Sequence, residues 1–502
     1  MVFTTLTFII FMGITFTLYY IVSQKYQWKT LLLASYVFYA WASPLYLIFL
    51  LITTIVTYFG TVLIEKNREK SKLYLIIVIC ILLGMLVGFK YTNFFLRNVK
   101  NFSVLFGRTL EIPSLRIILP IGLSFYIFQS LGYCIDVYRE MVDCEKDFLK
   151  HALYVSYFPQ LLQGPIGDYS KLSPQLFSPH TFSYKEAVFG LQRASWGFLK
   201  KLVIANQISL AIDGTWTNYS DYQGLFVWIF ILCLYSIQLY ADFSGYMDIA
   251  IGCSQMLGIT LDENFDTPYF SKSIAEFWRR WHITLGTWFK NYVFYPLLRS
   301  EKLSKIRKHW RKSNPYLSNT VPTVIALLIV WLLIGFWHGA DWSYVAYGLF
   351  HGGFIILSTL MAPVYSKFHS KYPKLQTSKL YSLFQIIRTF AIVTFGYVIF
   401  RPANLHVTTG IVNLMGEGIG LFNLLHFVTV YLKELSAAFL GTVVLFCVDL
   451  YHFNLDSILL REKISNFSIL GRWIIYVIFV CAILILGVYG RSDLDQFAYF
   501  RF

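Results

Sequence analysis

Long uncharged runs dominate this chain, and their lengths, more than any polar–apolar alternation, set the first expectation. Runs long enough to cross a bilayer occupy residues 1–24, 30–64, 73–89, 222–241, 313–340, 342–366 and 473–490. One crossing takes roughly 20 apolar residues. Shorter or interrupted runs at 117–135, 187–212, 389–400, 419–432 and 435–448 raise the expectation to roughly 11 membrane helices, with re-entrant and interfacial ones beside them. The run 30–64 is too long for one crossing. Pro44, after Ala42 and Ser43, breaks helical hydrogen bonding, so the chain is expected to turn there. The first run lacks a basic leading segment and a small-residue cleavage site, and is expected to be a retained span. The fold class expected is an all-α polytopic integral membrane protein.

Composition agrees. The chain is 57% hydrophobic and 14% charged, whereas soluble domains carry about 25% charged residues. The net charge of +15 would suit a nucleic-acid partner if it were gathered on one face, but it is not. Lysines and arginines sit in short connections: Lys25 and Lys29; Lys66, Arg68, Lys70 and Lys72; Lys302, Lys305, Arg307, Lys308, Arg311 and Lys312. That is the positive-inside pattern, drawn to anionic lipid headgroups. With the first two basic loops cytoplasmic, the N-terminus faces outward and no nucleic acid is expected. The cysteines are scattered without metal-type spacing, and Gly-rich phosphate loops, HExxH and GxSxG are absent. No metal and no permanently bound cofactor is expected.

The texture changes along the chain. Pro120, Pro159, Pro165 and Pro174 interrupt apolar stretches that also carry Gln129, Asp136, Gln160, Gln163 and Asp168. Broken helices at membrane depth belong where they line a cavity or are buried in protein. A single membrane-embedded domain over 1–502 is expected, with scaffold helices in 1–110, a catalytic core in 119–353 and further scaffold in 354–502. A short aromatic tail at 493–502 is expected to lie at the interface. Read as one helix, 271–298 carries an aromatic stripe of Trp278, Trp281, Trp288 and Tyr292 beside a face with Arg279, His282 and Gly286. It reads equally as an interfacial helix with snorkelling arginines or as a functional face. His338 lies in one of the longest apolar tracts, where an ionisable ring is expensive and usually has a task. Flanking Gly335 and Gly339 would let substrate or another helix approach it.

Several blocks together resemble the membrane-bound O-acyltransferase superfamily, in its bacterial polysaccharide O-acetyltransferase branch typified by alginate O-acetyltransferase. They are LPIGLSFY at 119–126, FPQLLQGPI at 158–166, YADFSGYMDIAIG at 240–252, Glu263-Asn264-Phe265, EFWRRWHITL at 276–285, GFWHGADW at 335–342 and the closing Phe500-Arg501-Phe502. Their order runs from residue 119 to the C-terminus. Two positions depart from the family pattern: Lys290-Asn291, where it has an Arg-Asp pair, and Gly167-Asp168, where it has a residue followed by arginine.

The resemblance implies a central tunnel, His338 as the catalytic base, and His282 as a second polar group for substrate alignment or oxyanion stabilisation. Histidine suits a base because its ordinary pKa lies near 6.5. Asp341, three residues on, would orient His338 if the helix continued. Arg279 and Arg280 are expected near the phosphates of acetyl-CoA, the acyl-donor substrate. The other histidines read as structural, with His351 the leading exception. The implied function is transfer of acetyl from cytosolic acetyl-CoA across the bacterial plasma membrane to an extracellular polysaccharide, through an extracytoplasmic SGNH-type partner. A teichoic-acid D-alanyl transferase fed by a carrier protein is the close alternative; a transporter is a further one. If a helix starts near Tyr316, His338 lies ~33 Å along it, toward the outer face of a core about 30 Å thick.

Overall fold

The computed structural model describes residues 1–490 apart from 109, 112, 114, 118, 403 and 455–459; the aromatic tail at 493–502 lies outside the described residues. These form helices joined by turns, with one isolated antiparallel bridge between Phe265 and Trp281. Among the described residues, eight helices are long and apolar enough to cross a membrane: Pro44–Lys66, Arg68–Lys90, Leu225–Met256, Pro315–His338, Trp342–Leu360, Lys379–Phe400, Leu432–Asn454 and Ile469–Leu486. Shorter apolar helices cover Leu6–Ile21, Leu405–Met415 and Leu421–Val430. The protein is an all-α polytopic membrane protein. The long run 30–64 divides where proline predicts: helix Gln27–Ala42 ends at an extended Ser43, and Pro44 opens a 3-10 turn leading into Leu47–Lys66.

The chain forms two compact units, Met1–Gly197 with Tyr246–Asp262, and Phe198–Gly245 with Glu263–Phe502. In the first, Leu47–Lys66 buries a stripe of Thr53, Thr54, Thr57, Gly60 and Thr61. Each of these threonines donates to the carbonyl four residues back, which satisfies the hydroxyl where water is absent. A Cβ at Gly60 would lie 2.3 Å from Val78 Cγ2, so the missing side chain lets the neighbouring helix close in. Thr57 has already given its proton to Thr53, so the 2.8 Å contact with His151 Nε2 has the imidazole donating. His151 thus has a packing role.

The second unit holds the hairpin of Pro315–His338 and Trp342–Leu360. Asn314 caps the first helix by accepting from Leu317 N–H, with Pro315 at its first position. Close approach follows from Gly335 and Gly348: a Cβ on either would lie 2.7 Å from the Tyr344 carbonyl oxygen or 2.5 Å from that of Trp331. Small residues at such crossings let two backbones pack in the absence of a hydrophobic drive. A Cβ on Gly339 would run into the Tyr344 ring. Gly335 and Gly339 therefore serve helix approach.

Candidate active site

His338 is the last residue of Pro315–His338. The helix is continuous over its 24 residues, a rise of about 36 Å, and its opposite end packs on the basic helix Glu301–Trp310. The ring of His338 is buried, edge-on to Tyr347 at 5.9 Å and to Phe400 at 5.5 Å, with Trp337 at 5.2 Å. Gly339 is extended, so the helix stops, and Asp341 caps the next helix by accepting from Ser343 N–H. The shared helical face imagined for Asp341 and His338 does not exist.

His282 sits where the expected continuous helix breaks. Ile274–Arg280 ends, Trp281 is extended, and His282 takes a left-handed conformation (φ 49°, ψ 51°) before Ile283–Phe289 begins. The aromatic stripe of the single-helix reading is therefore not one face. Pairing with the preceding strand-like segment overrides the periodicity. Asp266 N–H donates to the Arg280 carbonyl, and Ile283 N–H to that of Asn264, on either side of the Phe265–Trp281 bridge. A non-glycine residue held at positive φ is uncommon and persists where its surroundings over-determine it.

Those surroundings centre on Asn264, a residue with no recorded exposure. Its Oδ1 accepts from Thr284 N–H and Thr284 Oγ1, each at 3.0 Å, and lies 3.2 Å from His282 Nδ1. A backbone N–H can only donate, so this atom is the amide oxygen. His282 Nδ1 must then carry the proton, leaving Nε2 as an acceptor. Burial lowers the His282 pKa from 6.5 to about 3, which keeps the ring neutral. In this tautomer Nε2 accepts hydrogen bonds, which suits alignment of a donor group and not stabilisation of an oxyanion. Asn264 stood in the Glu263-Asn264-Phe265 block without a role; only the fold brings it to His282, eighteen positions on.

Trp337 stands between the two histidines, its ring centroid 5.6 Å from His282 and 5.2 Å from its neighbour His338. Phe243 closes the other side of His282 at 4.8 Å. The residues flanking Phe243 are pinned: Asp242 pairs with Lys201 at 2.5 Å and Ser244 accepts from Lys200 at 2.9 Å, all four nearly fully buried. Both lysines belong to a π-helical segment, Leu199–Ala205, a wide turn often found at functional sites. The sequence reading missed these lysines because a Lys-Lys pair after an apolar run looks like an orientation signal.

Of the two arginines assigned to the donor, Arg280 contacts Glu276 at 3.1 Å, Asp266 at 3.7 Å and Thr267 Oγ1 at 3.0 Å. Arg279 is exposed. Of the two departures from the family pattern, Asp168 caps helix Tyr169–Phe177 by accepting from Ser170 N–H. Lys290 and Asn291 lie exposed in a π-turn, Lys290–Phe294.

The constellation is a buried imidazole at the end of a spanning helix, a second neutral imidazole of fixed tautomer, and a dry aromatic wall between them. It can take a proton from a hydroxyl and exclude water, as acyl transfer requires. Residues 146–399 match the model of the membrane-bound O-acyltransferase family. The chain is 34% identical over 412 residues to a probable alginate O-acetylase of Pseudomonas putida, spanning 81% of this chain and 78% of that one. It is 32% identical over 421 residues to a peptidoglycan O-acetyltransferase of Helicobacter pylori, spanning 77% and 74%. A teichoic acid D-alanyltransferase of Bacillus subtilis is 28% identical over 298 residues, spanning 59% and 71%. The protein is therefore an O-acyltransferase of the cell membrane, a member of the membrane-bound O-acyltransferase family.

Proposed function

We propose that this enzyme takes an acetyl group from cytosolic acetyl-CoA and moves it across the membrane for O-acetylation of an extracellular polysaccharide, handing it on through a partner protein. The observation that carries this reading is the place of His338, one helix length from the basic Glu301–Trp310 segment. A donor entering at the basic, cytoplasmic end and a base at the opposite end imply passage along the bundle. His338 takes the proton of the acceptor hydroxyl as its oxygen attacks the thioester carbonyl. The tetrahedral intermediate then expels the thiolate, which recovers the proton from the His338 imidazolium. His282 Nε2 aligns the acceptor by accepting a hydrogen bond. The chemistry asks for no resident cofactor.

Arg279, exposed at the end of Ile274–Arg280, is the residue for the donor's phosphates, because guanidinium matches phosphate geometry. Acetyl-CoA binding to the purified protein checks it: Arg279→Gln is expected to weaken affinity several-fold. Arg280→Gln is expected to lower stability instead, by leaving Glu276 without its guanidinium. Unchanged affinity in Arg279→Gln assigns that arginine to lipid headgroups instead.

The relay partner is an extracytoplasmic SGNH-type acetyltransferase. Two segments are candidates for its dock, 216–222 and 405–425: Tyr219 lies against Gly410, and just beyond the first segment Leu225 and Phe226 N–H donate to the Gly418 and Ile419 carbonyls, and Asn423 Nδ2 to that of Gln223. Phe422 and Ile419 stand 81% and 65% exposed there, whereas Trp216 is buried and faces inward. Reconstitution tests the relay. Polymer acetylation is expected to need both proteins; equal rates with the membrane enzyme alone would remove the partner from the scheme. The relation to the teichoic acid D-alanyltransferase of Bacillus subtilis favours the second reading, a D-alanyl group delivered from a carrier protein.

A further inference from the structure

His351 has no place in the chemistry described so far, yet it is the most enclosed histidine of the second unit, with no recorded exposure. It projects from Trp342–Leu360 into a box of aromatic rings: Tyr347 at 4.6 Å, Trp278 and Phe350 at 5.2 Å, and Trp331 at 6.4 Å. Room for the ring comes from Gly396, where a Cβ would lie 2.7 Å from His351 Nε2. Among the described residues neither ring nitrogen has a hydrogen-bond partner, and neither does the buried Nε1–H of Trp278. Burying such groups without partners is costly, and native structures rarely leave them so. A leucine and a phenylalanine would fill the same volume without that cost. Two polar side chains without partners therefore share one aromatic box, their rings edge-on at 5.2 Å. Tyr347 links that box to the base, touching the rings of both His351 and His338.

We propose that Trp278 and His351 form a substrate-binding pair that holds the carbonyl oxygen of the acyl thioester. An indole N–H can only donate, and a neutral imidazole brings one N–H of its own. Two buried donors in one box suit an atom that only accepts, and a thioester carbonyl oxygen is such an atom. Its negative charge grows as the tetrahedral intermediate forms, so the two hydrogen bonds strengthen in the transition state. His282, whose Nε2 accepts, cannot supply this function; Trp278 and His351 complement it. The assignment rests on the reading of the protein as a thioester-dependent acyltransferase.

The test compares wild type with Trp278→Phe, which removes the indole N–H together with part of the ring that packs on Trp331 and Tyr347, and with His351→Leu. Thermal stability is measured on each purified variant, and kcat and KM on each reconstituted with the partner protein and polymer, with acetyl-CoA and with a D-alanyl-carrier thioester. Side chains that merely fill space predict unchanged kcat, since deleting an unpaired donor is neutral or stabilising. A substrate-binding pair predicts kcat lowered on the order of 10²-fold per lost donor, with KM for the donor little altered, in variants that stay folded after the loss of packing at Trp278. Wild-type turnover together with Trp278→Phe activity within twofold overturns the pair and leaves the acyltransferase reading standing. A wild type inactive on both thioesters overturns that reading and the pair with it.

Discussion

Replacing His338 with alanine abolishes acyl transfer while the protein still inserts and folds. The expected loss is roughly 10²–10⁴-fold in turnover, the usual contribution of a positioned general base. Folding is expected to survive because the ring ends a helix whose packing is set elsewhere, by Gly335 and Gly348 against the neighbouring backbone. His338→Ala leaves a small cavity between Tyr347 and Phe400, worth about 1–3 kcal/mol for a partly collapsing site, which a many-helix bundle tolerates. Size-exclusion profile and Tm in detergent report the fold, and single-turnover acetyl transfer reports the chemistry. His282→Ala is expected to be milder. Equal losses at the two positions would mean that the base and the aligning group have been assigned the wrong way round.

The second large effect is expected at Asn264. Alanine there removes the shared acceptor of three buried hydrogen bonds at once, from Thr284 N–H, Thr284 O–H and His282 Nδ1–H. Each buried unsatisfied group costs about 1–3 kcal/mol, so Asn264→Ala is expected to lose on the order of 3 kcal/mol or more, a large share of a typical fold's margin. Asn264→Asp keeps an oxygen in place and recovers part of that stability. Its carboxylate also favours the imidazolium of His282 and raises the lowered pKa of that ring. Activity of the aspartate variant is therefore expected to fall at neutral pH and to recover as pH rises, whereas the wild type shows no such limb from His282. A pH–rate profile of Asn264→Asp that superimposes on the wild type would contradict the hydrogen bond between the two side chains.

His338 was legible in the sequence because it breaks an apolar tract at a depth where polarity is costly; His282, in a more polar block, was singled out by the family resemblance. The spans were legible for the same reason: bilayer thickness writes itself into run length, and Pro44 marked the turn at Ser43. Periodicity failed over 271–298, where tertiary pairing with Asn264–Asp266 forces a break that no local propensity announces; histidine tolerates positive φ better than most residues, but nothing in EFWRRWHITL asks for it. Asp341 misled because Gly339 ends the helix, and the aspartate then does what aspartates before a helix do, capping the next one. Asn264, Lys201 and Asp242 were out of reach because their roles depend on partners that only the fold brings within hydrogen-bond distance.

The most direct test of the account uses oriented membrane vesicles carrying the protein, its SGNH-type partner and polymer, with labelled acetyl-CoA or a labelled D-alanyl donor supplied to one face only. The account predicts that acetyl label reaches polymer on the extracytoplasmic face when acetyl-CoA is given at the cytoplasmic face, and that His338→Ala stops it. Transfer of D-alanyl but not acetyl label, or acetyl transfer only when donor and polymer share a face, would contradict it.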